Sequence, residues 1–262
     1  MNLSALLGIL LASSVLIGAI ITSTDKAKVF LDPHAFVIVI GGTLAASLLS
    51  FSAKKMFLLM KVFFKKVLGK NEEISVAISE IVDLAKGYRE NENYLRDKAT
   101  TLKTPFLKEA VDMFVSGAVD PDDMDRILSK RAVNMHHRHE EDAEIFKALS
   151  KFPPAFGLLG AVIGMISMMQ NMGGADAFSK VGPSLAVALV ATMYGIAVAN
   201  FVFLPLGENL AKANRMDGII RQMVIDGFKL IRQKKHPLVV EESIKSYLLP
   251  SERTDASPQK AA

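Results

Sequence analysis

Four long apolar runs, arranged as two pairs around a charged interval, constrain this chain more than any other feature of its sequence. The first pair covers about residues 3–22 and 33–51, and the second covers about residues 152–172 and 181–205. None of the four contains Asp, Glu, Lys or Arg. Each is close to the roughly 20 residues that a helix needs to cross a bilayer core. The pattern predicts an all-α membrane protein with four transmembrane helices in a two-plus-two layout and a helical cytoplasmic domain between the second and third.

The charged residues, 22% of the chain, are concentrated between Lys54 and Lys151 and after Glu208. Half of the residues are apolar and the mean hydropathy is +0.30, which is typical of a membrane protein with a substantial water-facing part. Cysteine is absent, so the sequence offers neither a disulfide framework nor a thiolate site. The net charge of +4 comes mostly from lysines near the apolar runs and gives no reason to expect nucleic-acid binding.

The distribution of basic residues predicts the orientation in the membrane. Lysines follow the second apolar run closely, and the segment after the fourth run is also basic. The short link between the first two runs carries Lys26 and Lys28, balanced by Asp25 and Asp32. The positive-inside rule therefore places the central interval, the C-terminus and, with four spans, the N-terminus in the cytoplasm.

These patterns divide the chain into five expected segments. They are a first transmembrane pair (1–51), a cytoplasmic helical domain (52–151), a second transmembrane pair (152–206), C-terminal cytoplasmic helices (207–249) and a disordered tail (250–262). The stretch Lys54–Leu68 mixes lysines with large apolar residues. It is expected to lie along the membrane face or to prolong the second span.

Three helices are predicted inside the cytoplasmic interval. The first begins near Ile74 with Asn71 as its N-cap, and the second covers Phe106 to Phe114 and is ended by Gly117. The pair Asp120-Pro121 predicts the start of a third, long and charge-rich helix that continues to the third apolar run.

Catalytic and metal-binding patterns are scarce. His136 and Glu140 are one helical turn apart, but Ala143 stands where the zincin pattern needs a second His, so we expect a solvated helix face and no metal site. Serines in the apolar runs have no intramembrane His, Lys or Asp to activate them, which argues against an enzyme. Membrane proteins that move ions usually keep an ionisable group at depth. If this one moves ions, the carboxylate is expected to come from another chain.

Three glycines recur on one side of the third apolar run. Gly157, Gly160 and Gly164 are expected to form a small face that lets another helix pack closely, as in G-x-x-x-G pairs. The alternative is that these glycines line a pore.

The second pair of runs carries a specific family resemblance. Its residues read FPPAFGLLGAVIG from Phe152 to Gly164, AVALVATMYG from Ala186 to Gly195, and FLPL from Phe203 to Leu206. With IVIGGT from Ile38 to Thr43, they are similar to the flagellar motor stator subunits of the MotA/PomA family. The resemblance covers about residues 1–249. Energisers of the ExbB/TolQ type share the last two spans, but they resemble a three-span layout with one span before the cytoplasmic interval.

The resemblance implies roles for four residues of the second pair. Pro154 and Pro205 match family prolines implicated in coupling ion passage to movement, although each can instead simply set a helix boundary. Thr192 matches a threonine that faces the ion-binding Asp of the partner, the alternative being a hydrogen bond to its own helix. Sodium-driven members have Thr where this chain has Ala161, which favours the proton as the transported ion. In the alternative, Thr192, Ser167 or a backbone carbonyl supplies sodium ligands.

The family resemblance also implies partners. A MotB/PomB-type subunit with one span would supply the essential Asp, with copies of this chain forming a homo-oligomer, a pentamer around a partner dimer, in the lipid of the bacterial inner membrane. Protonation of the Asp would permit a rotational step near Thr192. Lys86, Arg89, Glu90 and Glu92 are the candidates for contact with the rotor's switch-complex protein, the alternative being a solvated face. No catalytic residue, metal or cofactor is implied.

Two other functions stay open at this point. One is an ExbB/TolQ-like energiser of a periplasmic partner. The other is a self-sufficient channel or transporter, against which the absence of an intramembrane charge weighs.

Overall fold

The computed structural model describes residues 3–67, 74–172 and 177–255, and the secondary structure in those ranges is helical. Two compact units share the chain. We call Met1–Lys70 with Glu140–Ala211 the apolar unit, and Asn71–His139 with Lys212–Ala262 the charged unit. The chain therefore passes from one unit to the other three times.

Most helices of the apolar unit coincide with the apolar runs. In chain order they are α1 (Leu3–Ser23), a 3-10 turn (Ala27–Phe30), α2 (Pro33–Phe36), a π-helical turn (Val37–Gly41), α3 (Gly42–Ser50) and α4 (Ala53–Val67). Later come α9 (Phe152–Asn171), α10 (Ala177–Val198) and a second π-helical turn (Ala199–Phe203). Asp32 starts α2 by accepting a 2.8 Å hydrogen bond from the Ala35 amide, with Pro33 at the first helical position.

Three helical stretches of the described residues are long and apolar enough to cross a membrane. They are Ala27–Ser50, the apolar part of Pro121–Gln170 and the apolar part of Val181–Arg232, while Leu10–Ser23 counts as a shorter apolar helix. The stretch after the second run does not prolong it. Phe51 is extended, with φ −136° and ψ 143°, so α4 begins as a separate helix.

The charged unit packs amphipathic helices around a core of large side chains. Its helices are α5 (Ile74–Glu90), α6 (Tyr94–Lys98), α7 (Pro105–Val115), α12 (Pro237–Lys245) and α13 (Pro250–Asp255), together with most of α8 (Pro121–Leu149) and α11 (Leu204–Arg232). Ile81, Leu107, Met124, Ile220 and Phe228 are fully buried in its core. As predicted, Gly117 ends the segment after α7, with φ +64°, a conformation that glycine adopts without strain.

Several expectations need correction or fall outside the described residues. The fourth apolar helix does not end near Pro205, because helical structure continues from Ala177 to Arg232. The two compact units divide the chain at points other than the expected segment boundaries 51/52, 151/152 and 206/207, because α4 and the adjoining parts of α8 and α11 belong to the apolar unit; the membrane boundaries themselves stay predictions. Of the expected disordered tail, Pro250–Asp255 form α13, and residues 256–262 are not described. Asn71 and Leu68 also lie outside the described residues.

Candidate functional site

In the apolar unit, α9 and α10 approach each other closely. A Cβ atom built on Gly157 would lie 2.9 Å from the carbonyl oxygen of Ala191, and one on Gly164 would lie 2.9 Å from that of Ser184. Gly160 faces the Ala191 methyl group in the same way, at 2.6 Å. These contacts agree with the predicted packing role of the three glycines, because any larger residue would separate the two backbones. We call this contact the α9–α10 seam.

The contact is as close where α9 begins. A Cβ on Gly195 would lie 2.5 Å from the carbonyl oxygen of Pro153 and 3.1 Å from the Cα of Pro154. The two prolines occupy the first turn of α9, where a missing backbone N–H costs no helical hydrogen bond. Pro154 thus lies in the first turn of α9 and packs against the backbone of α10.

The Thr192 hydroxyl lies within the α9–α10 seam. Its oxygen is 3.1 Å from the carbonyl oxygen of Ala188 on its own helix and 3.4 Å from that of Gly157 on α9. A hydroxyl has one hydrogen to donate and two lone pairs that can accept. Donation to either carbonyl is therefore compatible with acceptance of a hydrogen bond from a further group, such as a protonated carboxyl.

Ala161 belongs to the same part of α9. In an α-helix the carbonyl of Gly157 accepts the hydrogen bond of the Ala161 amide, so Thr192 reaches the turn that Ala161 closes. Ala161 is half-buried, and its methyl group has no oxygen to offer an ion. Thr192 of α10 and Ala161 of α9 are therefore both related to the same carbonyl oxygen, that of Gly157.

Pro205 follows a change in helix geometry. It lies at the second position of α11, directly after the π-helical turn Ala199–Phe203. Pro205 has no N–H to donate to the Phe201 carbonyl four residues earlier, and single π-turns in α-helices are frequent at functional sites. Its own carbonyl accepts a 2.9 Å hydrogen bond from the Asn209 side chain. Pro205 therefore lies in an irregular segment within a continuous helix. The alternative drawn from the sequence was that it sets a helix boundary.

Two polar side chains of the apolar helices were not predicted to have a structural role. The Tyr194 hydroxyl donates a hydrogen bond to the carbonyl oxygen of Phe30 and ties α10 to the link after α1. The Thr43 hydroxyl of α3 is buried and, among the described residues, has no hydrogen-bond partner. A tyrosine or threonine inside an otherwise apolar run was the available signal.

A cavity of about 860 Å³ lies between the link and the ends of α9 and α10. Lys28, Asp32, Gly164 and Pro183 are among its lining residues. Pro183 precedes Thr192 by nine residues, which places the two about 180° apart around α10. Thr192 itself is not among the lining residues.

The four candidate rotor contacts lie at or just beyond the end of α5. Lys86, Arg89, Glu90 and Glu92 are all exposed. Glu92 also forms an ion pair with Lys234, whose ammonium group lies 5.6 Å from the centre of the Tyr88 ring. The hydrogen bond from Lys234 lowers the pKa of the Glu92 carboxyl, and the same bond raises the pKa of Lys234. Glu92 is therefore engaged within the chain, which the sequence did not predict.

The histidine-rich part of α8 makes contacts with α11. The Asn214 amide donates a 3.1 Å hydrogen bond to the His136 carbonyl, and His139 Nδ1 lies 3.7 Å from a carboxylate oxygen of Asp217. In the part of the chain that the structure describes, no three His, Asp or Glu side chains are grouped so that they could hold a metal ion.

Comparisons with known proteins agree on one family. The family description "MotA/TolQ/ExbB proton channel family" matches residues 98–224. The chain is 30% identical to Motility protein A of Borreliella burgdorferi over 97% of this chain and 96% of that protein. It is 28% identical to Chemotaxis protein PomA of Vibrio alginolyticus over 95% of this chain and 96% of that protein.

Solved structures show the same fold. The flagellar MotAB stator complex from Bacillus subtilis matches with a TM-score of 0.84 and 25% identity, covering 97% of this chain and 98% of that chain. The C. jejuni MotAB structure matches with a TM-score of 0.86 and 21% identity, covering 99% of this chain and 100% of that chain.

Proposed function

Because this chain belongs to the MotA/TolQ/ExbB proton channel family and is a flagellar stator subunit of the MotA kind, we propose that it conducts protons together with a MotB-type partner. It is a channel subunit and not an enzyme. The observation that carries the proposal is the Thr192 hydroxyl in a seam without its own charge. Residues 152–172 and 181–206 contain no Asp, Glu, Lys or Arg. The group that takes up the proton is therefore the Asp of the partner.

The proposed layout has four spans in the bacterial inner membrane, with both termini in the cytoplasm. Alongside the three long apolar helices, α1 has 21 residues and no charged side chain. At a rise of 1.5 Å per residue, such a helix is about 30 Å long, which matches the hydrocarbon core of a bilayer. The lysines after the second and fourth apolar runs support the orientation.

The proton as the transported ion is supported by the ligand set near Thr192. A dehydrated sodium ion needs several oxygen ligands, whereas proton transfer to a carboxylate needs one base. Ala161 presents a methyl group on the turn of α9 that Thr192 reaches, so position 161 adds no side-chain oxygen to the Thr192 hydroxyl and the backbone carbonyls of the seam. An incompletely coordinated ion is costly in apolar surroundings. The hydroxyl of Thr192 is enough to accept a hydrogen bond from the protonated Asp.

Movement then follows from the change of charge on the Asp. The neutral acid loses its attraction for water and packs against the α9–α10 seam, and the ionised form leaves it. Pro154 and Pro205 flank this seam and couple the step to the cytoplasmic helices. Copies of this chain form a pentamer around a partner dimer, and exposed charges near Lys86 and Arg89 act on the rotor.

Reconstitution with and without the partner tests the proposal. The chain should retain a one-span partner during purification. Liposomes with the complete complex should conduct protons, whereas liposomes with this chain alone should not. Proton flux through this chain alone would refute the need for a partner carboxylate.

The Thr192 hydroxyl can be tested with two matched substitutions. Thr192→Val keeps the shape and removes the hydroxyl, so the proton flux of the complex should fall strongly, whereas Thr192→Ser should keep most of it. Equal flux in both variants would remove the hydroxyl from the mechanism.

The transported ion can be tested by motility. Swimming should persist in sodium-free medium and collapse with a protonophore, and a steep rise of speed with external sodium would overturn the choice of ion.

A further inference from the structure

The segment of α8 from Asp142 to Lys147 is held on two sides by contacts within the apolar unit. On one side, Lys55 of α4 forms a 2.8 Å ion pair with Asp142. On the other, a Cβ built on Gly207 of α11 would lie 3.2 Å from the carbonyl oxygen of Ala143 and 3.3 Å from the amide of Lys147. We call these two contacts together the α8 clamp.

The contact at Gly207 joins one helix backbone to another. Because glycine has no side chain, α11 cannot absorb a displacement toward the Ala143–Lys147 turn of α8 by changing a rotamer at this position. The surrounding cluster is close-packed, with Leu59, Phe146, Leu206 and Leu210 buried in it. Well-packed interiors have low compressibility and transmit displacement. A shift of α11 at Gly207 is therefore passed to α8.

The ion pair on the other side is largely shielded from water at its carboxylate. Asp142 is only 8% exposed, while Lys55 is half-buried. A carboxylate in that position needs its cation, since a buried charge without a partner is strongly disfavoured. Lys55 thus fixes the position of Asp142 relative to α4, and the apolar side chain of Leu59, one turn further along α4, packs in the same cluster.

Gly207 lies two residues after Pro205, at the end of the irregular segment that begins with the π-helical turn Ala199–Phe203. A bend in that segment displaces the next turn of α11 first. That turn contains Leu206 and Gly207, both of which pack against α8.

We propose that the α8 clamp transmits movement of the Pro205 segment to α8, with Gly207, Lys55 and Asp142 as positioning residues for torque generation. The inference rests on the proposed stator function. None of the three residues is expected to touch the transported ion, so their loss should separate ion flux from rotation.

The first test compares two Gly→Ala substitutions on the same helix. In Gly207→Ala, the added methyl group would also lie 3.0 Å from the Lys147 side chain, so this side chain and the backbone of α8 have to shift slightly to make room. In Gly218→Ala, the added methyl would lie 3.6 Å from the nearest atom, an ordinary contact with His136. Both changes raise helix propensity equally, so Gly218→Ala is the matched control.

Torque is measured from the rotation of tethered cells, and proton flux is measured in liposomes that contain the complex with its partner. Gly207→Ala should cause a clear loss of torque, because it displaces the contact that transmits the movement, and should leave proton flux per complex near wild type. Gly218→Ala should change neither. Unchanged torque in Gly207→Ala, or torque and flux that fall together, would overturn the inference.

A second set of variants tests the ion pair and does not depend on the glycine. Asp142→Asn leaves the Lys55 ammonium group without its carboxylate and should lower torque more than flux. The exchange Lys55→Asp with Asp142→Lys should recover most of the torque. No recovery, at normal amounts of membrane complex, would contradict a role for the pair. If the wild-type complex itself conducts no protons, the proposed function fails, whereas wild-type flux with undisturbed torque in all variants defeats only the clamp.

Discussion

The helices of the apolar unit and those of the charged unit are packed by different kinds of contact. The α9–α10 seam of the apolar unit joins backbones through glycine and alanine, with Gly157, Gly164 and Gly195 too close to their neighbours for a side chain. The charged unit instead buries large side chains such as Leu107, Ile220 and Phe228. In water, burial of large apolar side chains is the main driving force. Between helices surrounded by lipid that force is absent, and close packing through small residues replaces it.

The difference also determines how each unit treats charge. The described amphipathic helices of the charged unit carry ion pairs at their surface, among them Arg126–Asp123 and Lys98–Asp83. The second pair of apolar runs, residues 152–172 and 181–206, has no Asp, Glu, Lys or Arg that could form an ion pair. Under the proposed function, a partner carboxylate brought into such surroundings would interact strongly there, and its protonation state would govern its contact with Thr192.

The largest effect on motility is expected where a methyl group is added to the seam. Gly195→Ala places a Cβ 2.5 Å from the Pro153 carbonyl oxygen, and backbone atoms on both sides cannot move aside by a change of rotamer. Overpacking costs about 1–3 kcal/mol, or more where the backbone must shift. Motility and the amount of complex in the membrane should fall severely. Gly182→Ala, which has no atom within 4 Å of the added Cβ, is the control and should behave like wild type.

A large-to-small change should have the greatest effect in the charged unit. Phe228 is fully buried and contacts the ring of Phe114 edge-on, with 5.8 Å between the ring centres. Phe228→Ala should destabilise the protein by about 3–5 kcal/mol through lost burial and the cavity left behind. Leu238→Ala, at a side chain that is 62% exposed, serves as the control. Thermal unfolding of the purified complex measures both, and equal melting temperatures would contradict the assigned core.

A smaller and pH-dependent effect is expected at Tyr247, which donates a hydrogen bond to Asp226 in the charged unit. Burial, followed by this hydrogen bond, raises the pKa of Tyr247 to about 12 from an ordinary value of 10.0. The unfolded chain therefore loses this proton at lower pH than the folded chain. The resulting stability is present below pH 10 and is lost as the pH rises to about 12.

Tyr247→Phe removes both the hydrogen bond and the titrating proton. At neutral pH the variant should lose about 0.5–1.5 kcal/mol, the usual contribution of one hydrogen bond. Between pH 10 and 12 its unfolding free energy should fall less steeply than that of the wild type. Denaturation midpoints across this pH range provide the measurement, and parallel curves would show that Tyr247 does not titrate as described.

The smallest effects are expected from single exposed charges of the charged unit. Glu92→Lys sets two cations against each other at Lys234, yet both groups are exposed and screened by water, so stability should barely change. Reversal of Lys86, Arg89, Glu90 and Glu92 together should impair swimming more than any single reversal. Normal swimming by the fourfold variant, at a normal protein level, would exclude these residues from rotor contact.

Local patterns of the sequence were sufficient for most helices. The long apolar runs predicted α1, α9 and α10 closely, because a charge-free stretch of this length has few other stable structures in a bilayer. Helix ends marked by Asp120-Pro121 and Gly117 were also predicted, since capping depends on neighbouring residues. Pro205 misled the prediction of a helix end, because the π-helical turn before it lets the helix continue.

The sequence by itself determined the helical class, the two-pair arrangement of apolar runs and the candidates Thr192, Ala161, Pro154 and Pro205. Only the tertiary structure decided that Thr192 reaches the Gly157 carbonyl 35 residues away, that Glu92 pairs with Lys234 and that Gly207 touches α8. Helix formation and capping follow from residues within one or two turns. Contacts between helices depend instead on which surfaces, distant in sequence, fit together when they are closely packed. That fit cannot be read from the local order of residues.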